Sequence, residues 1–369
     1  MAILTGFKNE IHEKLFSFWG HIQIQPYLSN NSSSVISPEP IERDGKLEGN
    51  VKRTSHVLEM NAFAVRPAII NANDVIEGIQ LKGVESDYKL PSSISLSGKG
   101  VDFADTTYAK TILLSEASAN CMNIHPGDAV QVNFIEPDLD MPRTRKLIVS
   151  GIYHTGMEEI DKKFAICDIR LLQHVNNWQP NQVNGYQIKL DNADLSDSIS
   201  SQLYHAYIKP PLTSYTMKEL FPNLFDWLQL TSLESVVLMC ILAIVAIINL
   251  AAALLILIVE QARLVGILKA QGMSRTAIQK IFLYHAVLIA GIGIVAGNLL
   301  AFGLCWVLQK TELIKLKEAI YSLKYVPVKL YWWQPVVIDV TTILLCILCM
   351  WLPSLYIRRI QPARVLQFK

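Results

Sequence analysis

Residues 236–259 read VVLMCILAIVAIINLAAALLILIV, a run without a single ionisable side chain. Roughly 20 helical residues suffice to cross the hydrocarbon core of a bilayer. The segment therefore predicts a transmembrane helix. Toward the C-terminus, residues 281–308 (IFLYHAVLIAGIGIVAGNLLAFGLCWVL) hold only His285 as a titratable group and predict a second span, long enough to tilt. A third is predicted over 332–357, opened by Trp332 and Trp333, whose amphipathic rings favour the headgroup level, and closed by Arg358 and Arg359. The 369-residue chain is 51% hydrophobic and 18% charged, and this apolar excess is concentrated in the C-terminal third. Before it, residues 1–232 read as a water-soluble domain.

Basic residues near the span ends set the expected orientation. The loop 260–280 carries Arg263, Lys269, Arg275 and Lys280 against Glu260, and the tail 358–369 carries Arg358, Arg359, Arg364 and Lys369 without an acid. Both are expected in the cytoplasm, which places residues 1–232 and the 309–331 loop outside it. The lysines Lys310, Lys315, Lys317, Lys324 and Lys329 in that outer loop weaken the contrast. A domain exported this way needs a signal or a preceding helix, and the short apolar start Met1-Ala2-Ile3-Leu4 is neither. The expectation is a fourth, N-terminal membrane helix upstream of Met1; a trimmed chain and an inverted topology are the alternatives.

Within the N-terminal domain, Phe7, Ile11, Leu15 and Phe18 recur at helical spacing and predict an amphipathic helix, followed by a strand at His21 to Gln25. Ser29 to Ser34 with Pro38 and Pro40 reads as a loop. Strands are expected at 57–70, 75–84, 129–134 and 147–153, and helices at 113–121, 169–175 and 193–204, with a turn at Pro126-Gly127-Asp128. There is no regular βαβ alternation, so the domain is expected to be mixed α+β and not a doubly wound nucleotide-binding fold.

Catalytic motifs are missing from the sequence. It contains no G-x-x-x-x-G-K-[ST], no G-x-S-x-G, no H-E-x-x-H and, outside the spans, no C-x-x-C. The eight histidines lack metal-ligand spacing, so neither a metal nor a catalytic site is expected. Of the six cysteines, Cys121 and Cys167 lie outside the spans; they read as two buried thiols, with a disulfide as the alternative. Inside the spans, Asn249 reads either as a functional residue or as one that bonds across helices, and His285 is expected to reach the interface. For Asp339, a functional role and a wet vestibule are equally open readings. Gly293 and Gly297 form a G-x-x-x-G that permits close helix packing.

The loop Glu260-Gln261-Ala262-Arg263-Leu264-Val265-Gly266-Ile267-Leu268-Lys269-Ala270-Gln271-Gly272-Met273-Ser274-Arg275 predicts a short amphipathic helix at the membrane surface. Leu264, Ile267 and Leu268 form its apolar stripe, Arg263 and Lys269 lie off it, Gly272 ends it and Ser274 caps the next helix.

In its form E-x-x-R-x-x-G-I-L-K-A-x-G-M-S this loop resembles the coupling helix of FtsX-like ABC-transporter permeases. Three further stretches resemble the lipoprotein-releasing branch: LTGFKNEIHEKLFSFWGHIQI from Leu4, SYTMKELFPNLFDWLQL from Ser214 and IKLKEAIYSLKYVPVKL from Ile314. The tail Arg358-Arg359-Ile360-Gln361-Pro362-Ala363-Arg364-Val365-Leu366 also fits. The chain departs from the family at Leu264, where relatives often carry an acid, and in showing three spans where the family has four. The resemblance implies a multi-pass bacterial inner-membrane protein with a periplasmic domain. It further implies a non-catalytic subunit whose ATP is bound by a partner ATPase, docked through Glu260, Arg263, Leu264, Gly266, Ile267, Leu268, Lys269, Gly272 and Met273. A second permease, an acylated lipoprotein substrate and a periplasmic carrier are the implied partners, with no nucleic acid. Val236 and Val237 on the first span and Val336 and Val337 on the third, with Asp339, are the candidate substrate path. An efflux permease and a transmembrane signalling subunit are the rival functions.

Overall fold

The computed structural model describes residues 2–27, 39–105, 107–135, 142–311, 329 and 331–349. The expected loop at Ser29 to Ser34 with Pro38, most of the 309–331 loop, the end of the third expected span and the 358–369 tail lie outside them. The described chain divides into an α+β unit, residues 8–226, and a helical unit formed by the remainder.

The α+β unit opens with α1 (Ala2–Trp19), which turns Ile11, Leu15 and Phe18 into the core as its spacing predicts. Gly20, at φ 76°, ends it where a Cβ would strike the Ile188 carbonyl. The elements that follow are β1 (Ile22–Pro26), β2 (Ile41–Glu42), α2 (Gly45–Lys52), β3 (Val57–Ala72), β4 (Val75–Val84), β5 (Ser95–Gly98), β6 (Thr111–Ser115), α3 (Glu116–Met122), β7 (Ala129–Phe134), β8 (Arg143–His154), α4 (Glu158–Asp161), β9 (Phe164–Asp168), α5 (Ile169–Val175), β10 (Gln182–Val183), β11 (Gly185–Leu190), α6 (Ser196–Ala206), β12 (Leu212–Thr216) and α7 (Met217–Leu220).

Ten of the strands form one mixed sheet, ordered β12-β1-β11-β3-β4-β9-β6-β8-β5, with β7 between β3 and β8. Among the described strands, only β4/β9 and β6/β8 pair in parallel. A two-residue turn at Asn73 and Asp74, both with positive φ, closes the β3–β4 hairpin, as the twist of paired strands favours. β3 pairs with β11 up to Phe63 and with β7 from Ile69. Pro67 falls in the gap between those partners, so its missing N–H leaves no ladder bond unmade.

Two expectations for this domain are corrected. Leu113 and Leu114 belong to strand β6 and not to a helix. Their run is buried on both faces, between β8 and β9, and the helix starts only where the Ser115 hydroxyl accepts from the Ser118 N–H. Cys121 is exposed on α3 while Cys167 is buried in β9, and both are free thiols.

In the helical unit, α8 (Pro222–Glu260) is one helix of 39 residues, about 58 Å long at 1.5 Å per residue. Pro222 stands in its first turn, where no N–H is needed. α9 (Ala262–Ala270), α10 (Arg275–Thr311) and α11 (Trp333–Cys349) follow. The stretches 222–253 and 276–310 are long and apolar enough to cross a membrane, whereas α11 is a shorter apolar helix.

Candidate docking site on the loop helix

A tight break at Gln261 separates α9 from the end of α8 at Glu260. Its C-terminus is a Schellman stop: Gly272 takes φ 87°, and the Met273 N–H donates to the Leu268 carbonyl at 3.0 Å. Ser274 then caps α10 by accepting from the Ala277 N–H at 3.3 Å. Both devices were legible in the sequence.

At 100° per residue, Leu264, Ile267 and Leu268 share one face of α9, and Val265 and Gly266 lie away from it. Burial follows that division. Val265 is 0% exposed, and Gly266 is buried beside it, while Leu264 is 48% and Ile267 40% exposed, with Leu268 half-buried. α9 packs on α10, whose Ile278 and Phe282 are the buried apolar residues at that end. Gly266 thus belongs to the face turned into the chain. Arg263, Gly272 and Met273 are exposed, Lys269 is carried on the helix, and Glu260 closes α8. The outcome is an outward apolar stripe bordered by Arg263, on a helix pinned from behind by Val265.

The other sequence candidates are more dispersed. Val236 and Val237 on α8 and Val336 and Val337 on α11 are all exposed. Asp339 accepts a hydrogen bond from the Asn298 side-chain amide at 2.9 Å, joining α11 to α10. Sequence reasoning passed over Asn298, although it is the lone amide in a long apolar run. Beyond its own helix backbone and chain neighbours, no described atom lies within 4 Å of a Cβ built on Gly293 or Gly297, so the G-x-x-x-G face makes no close contact among the described residues. His285 bonds the Ile281 carbonyl of its own helix at 3.1 Å. Asn249 is exposed, and its side chain meets no hydrogen-bond partner among the described residues. No cluster of three or more His, Cys, Asp or Glu that could hold a metal ion occurs among the described residues.

Residues 236–362 match the family model of the FtsX-like permease C-terminal domain. The full chain is similar to the lipoprotein-releasing system transmembrane protein LolC of Xylella fastidiosa strain Temecula1, with 25% identity over 100% of this chain and 89% of that protein. It is similar also to LolE of Haemophilus influenzae, with 21% identity over 99% of this chain and 89% of that protein. Among solved structures, the periplasmic region of MacB from Actinobacillus actinomycetemcomitans is similar over 56% of this chain and 92% of its own, at 12% identity and a TM-score of 0.37. The resemblance to FtsX-like permeases and to the Lol proteins is borne out by the family model and the full-length relatives.

Proposed function

We propose that the chain is the permease subunit of an ABC transporter that releases acylated lipoproteins from the bacterial inner membrane. The single observation that supports the coupling part of this reading is the exposed stripe Leu264, Ile267 and Leu268 on a helix whose opposite face is buried. An amphipathic helix of this kind fits an apolar groove on a separate ATPase, which binds the nucleotide. The α+β unit then stands in the periplasm, α8, α10 and α11 are membrane spans, and a second permease completes the assembly. Asn249, an amide in the middle of an apolar helix, offers that second permease a hydrogen-bonding partner.

Lipoprotein release explains the need for ATP. Drawing an acyl chain out of the membrane costs about 0.8 kcal/mol per CH₂, so an acylated cargo needs both a driving force and a sheltered path. The exposed valines Val236, Val237, Val336 and Val337 are the proposed lining of that path. A photo-crosslinker at Val237 or Val337 in the reconstituted complex is expected to trap an acylated lipoprotein when ATP is absent, and to trap nothing from the deacylated protein. Competition by a soluble drug-like compound would favour efflux. Failure to trap lipoprotein at either position, with ATP hydrolysis intact, would favour signalling.

A further inference from the structure

On one face of the sheet, away from the apolar core, a row of polar side chains crosses three neighbouring strands. The register sets Gln23 of β1 opposite Gln187 of β11, Gln187 opposite Asn61 of β3, and Lys189 opposite Glu59. Cross-strand partners project to the same face. The C-terminal end of α1, with Phe16, Ser17 and Gly20, and the segment Tyr88 to Pro91 close over this row and leave a pocket of about 110 Å³. Gln187 is only 7% exposed, yet its Oε1 has no hydrogen-bond partner, and the buried Tyr88 hydroxyl has none either. Buried polar groups are nearly always satisfied, so two orphans lining one small pocket point to a partner from outside the chain.

The lining identifies the chemistry. Tyr88, Ser17, the amides of Asn61 and Gln187, and Lys89 and Lys189 can all donate. Ser17 Oγ already accepts from Ser93 at 2.7 Å, which leaves its own O–H to donate. Glu59, the lone acid in the lining, stands opposite Lys189 in the register; burial first, and then the Glu59 charge, raises the pKa of the Tyr88 hydroxyl and keeps it a donor. The C-terminal end of α1 does not itself favour an anion, but three of its carbonyls are already bonded: Phe16 accepts from the Gly20 N–H, Phe18 from Lys82 and Trp19 from the Gln23 amide. A half-turn of the Gln187 amide presents its NH₂ to the pocket. We infer that this pocket seats a carboxylate, either free or on an acidic side chain of a partner protein. The volume admits one such group.

The test uses the full chain in nanodiscs. Saturation-transfer NMR reads binding of acetate at constant ionic strength, with acetamide as the uncharged isostere. Fluorescence anisotropy reads a dye-labelled Gly-Glu repeat peptide against its Gly-Gln counterpart. Acetate and the Gly-Glu peptide competing for one site identifies a side-chain carboxylate; acetate bound without the peptide identifies a free one. In either case Tyr88→Phe, Gln187→Leu and the surface change Lys89→Gln are each expected to weaken binding at least fivefold, with the Lys89→Gln melting temperature unchanged as the control for folding. The inference is overturned if acetamide binds as well as acetate, if neither acetate nor the Gly-Glu peptide binds, or if the three variants bind like the parent.

Discussion

In the α+β unit, Ile70, Leu81, Ile112 and Val149 are sealed in a common core, whereas on α8 and α10 the equally apolar Leu242, Ile248, Leu299 and Leu300 are exposed. Among the described residues, the apolar windows of these two helices have no buried residue. On the proposed function the same side chains answer to two solvents: water drives burial in one unit, and in the other lipid would take the place of a core. The polar groups invert accordingly. In the α+β unit many are buried where the fold bonds them, as with Asp161 at the end of α4, which accepts from the Thr155 and Gly156 N–H groups. On the long helices they are few, and each is a candidate for contact with another helix.

The largest expected effect contrasts the two directly. Ile70→Ala or Leu81→Ala should destabilise the folded protein by about 2–5 kcal/mol, because each leaves a cavity. Leu242→Ala or Leu299→Ala in a lipid nanodisc should change the melt by well under about 1 kcal/mol, as expected of a side chain without packing partners. Equal losses at both kinds of site, measured by thermal and denaturant melts, would mean that the helices are packed against one another more fully than the fold describes.

A second prediction concerns a charge that the core does contain. Lys82 is fully buried, with its ammonium over the rings of Phe18, Trp19 and Tyr88 and bonded to the Phe18 carbonyl, and burial lowers its pKa to about 7. The unfolded chain, with Lys at 10.5, binds more protons than the folded one between these values. Stability should therefore rise by about 1.4 kcal/mol per pH unit from about pH 7 upward, and level off below. Melts of the full chain at pH 7, 8 and 9, with Lys82→Met as the flat reference, check this. A parent slope no steeper than that of Lys82→Met would contradict it.

The smallest expected effects are at the caps. Ser115→Ala removes the N-cap that separates β6 from α3 and should cost about 1 kcal/mol. Gly272→Ala, at φ 87°, should cost a similar amount, confined to the end of α9. Hydrogen exchange distinguishes the two, since faster exchange is expected near α3 in one variant and near α9 in the other.

These contrasts also explain what the sequence disclosed. Val75–Val84, Ala129–Phe134 and Ile169–Val175 were readable to the residue because turn chemistry bounds them, as with Gly127 at φ 105° before β7. β6 was misread because a short run buried on both faces lacks the alternation that marks a strand. β11, buried almost throughout, was missed for the same reason, and β2, β5 and β10 are too short to carry a pattern. In the loop helix, the glycine stop and serine cap were legible because single residues determine them. Which apolar residues face inward was not. Val265 and Leu264 are chemically alike, and only the packing on α10 decides that one is buried and the other exposed.

The docking of a separate ATPase on this outward face is the coupling step of the proposed function. It is tested most directly by purifying the full chain from membranes in mild detergent and measuring the molar ratio of the ATPase that accompanies it, for the parent and for Ile267→Asp and Leu264→Asp. The expected result is an equimolar ATPase with the parent and a loss of at least tenfold in both variants, with membrane insertion and the melt of the α+β unit unchanged. Retention of the ATPase at the parent ratio in both variants would contradict the claim.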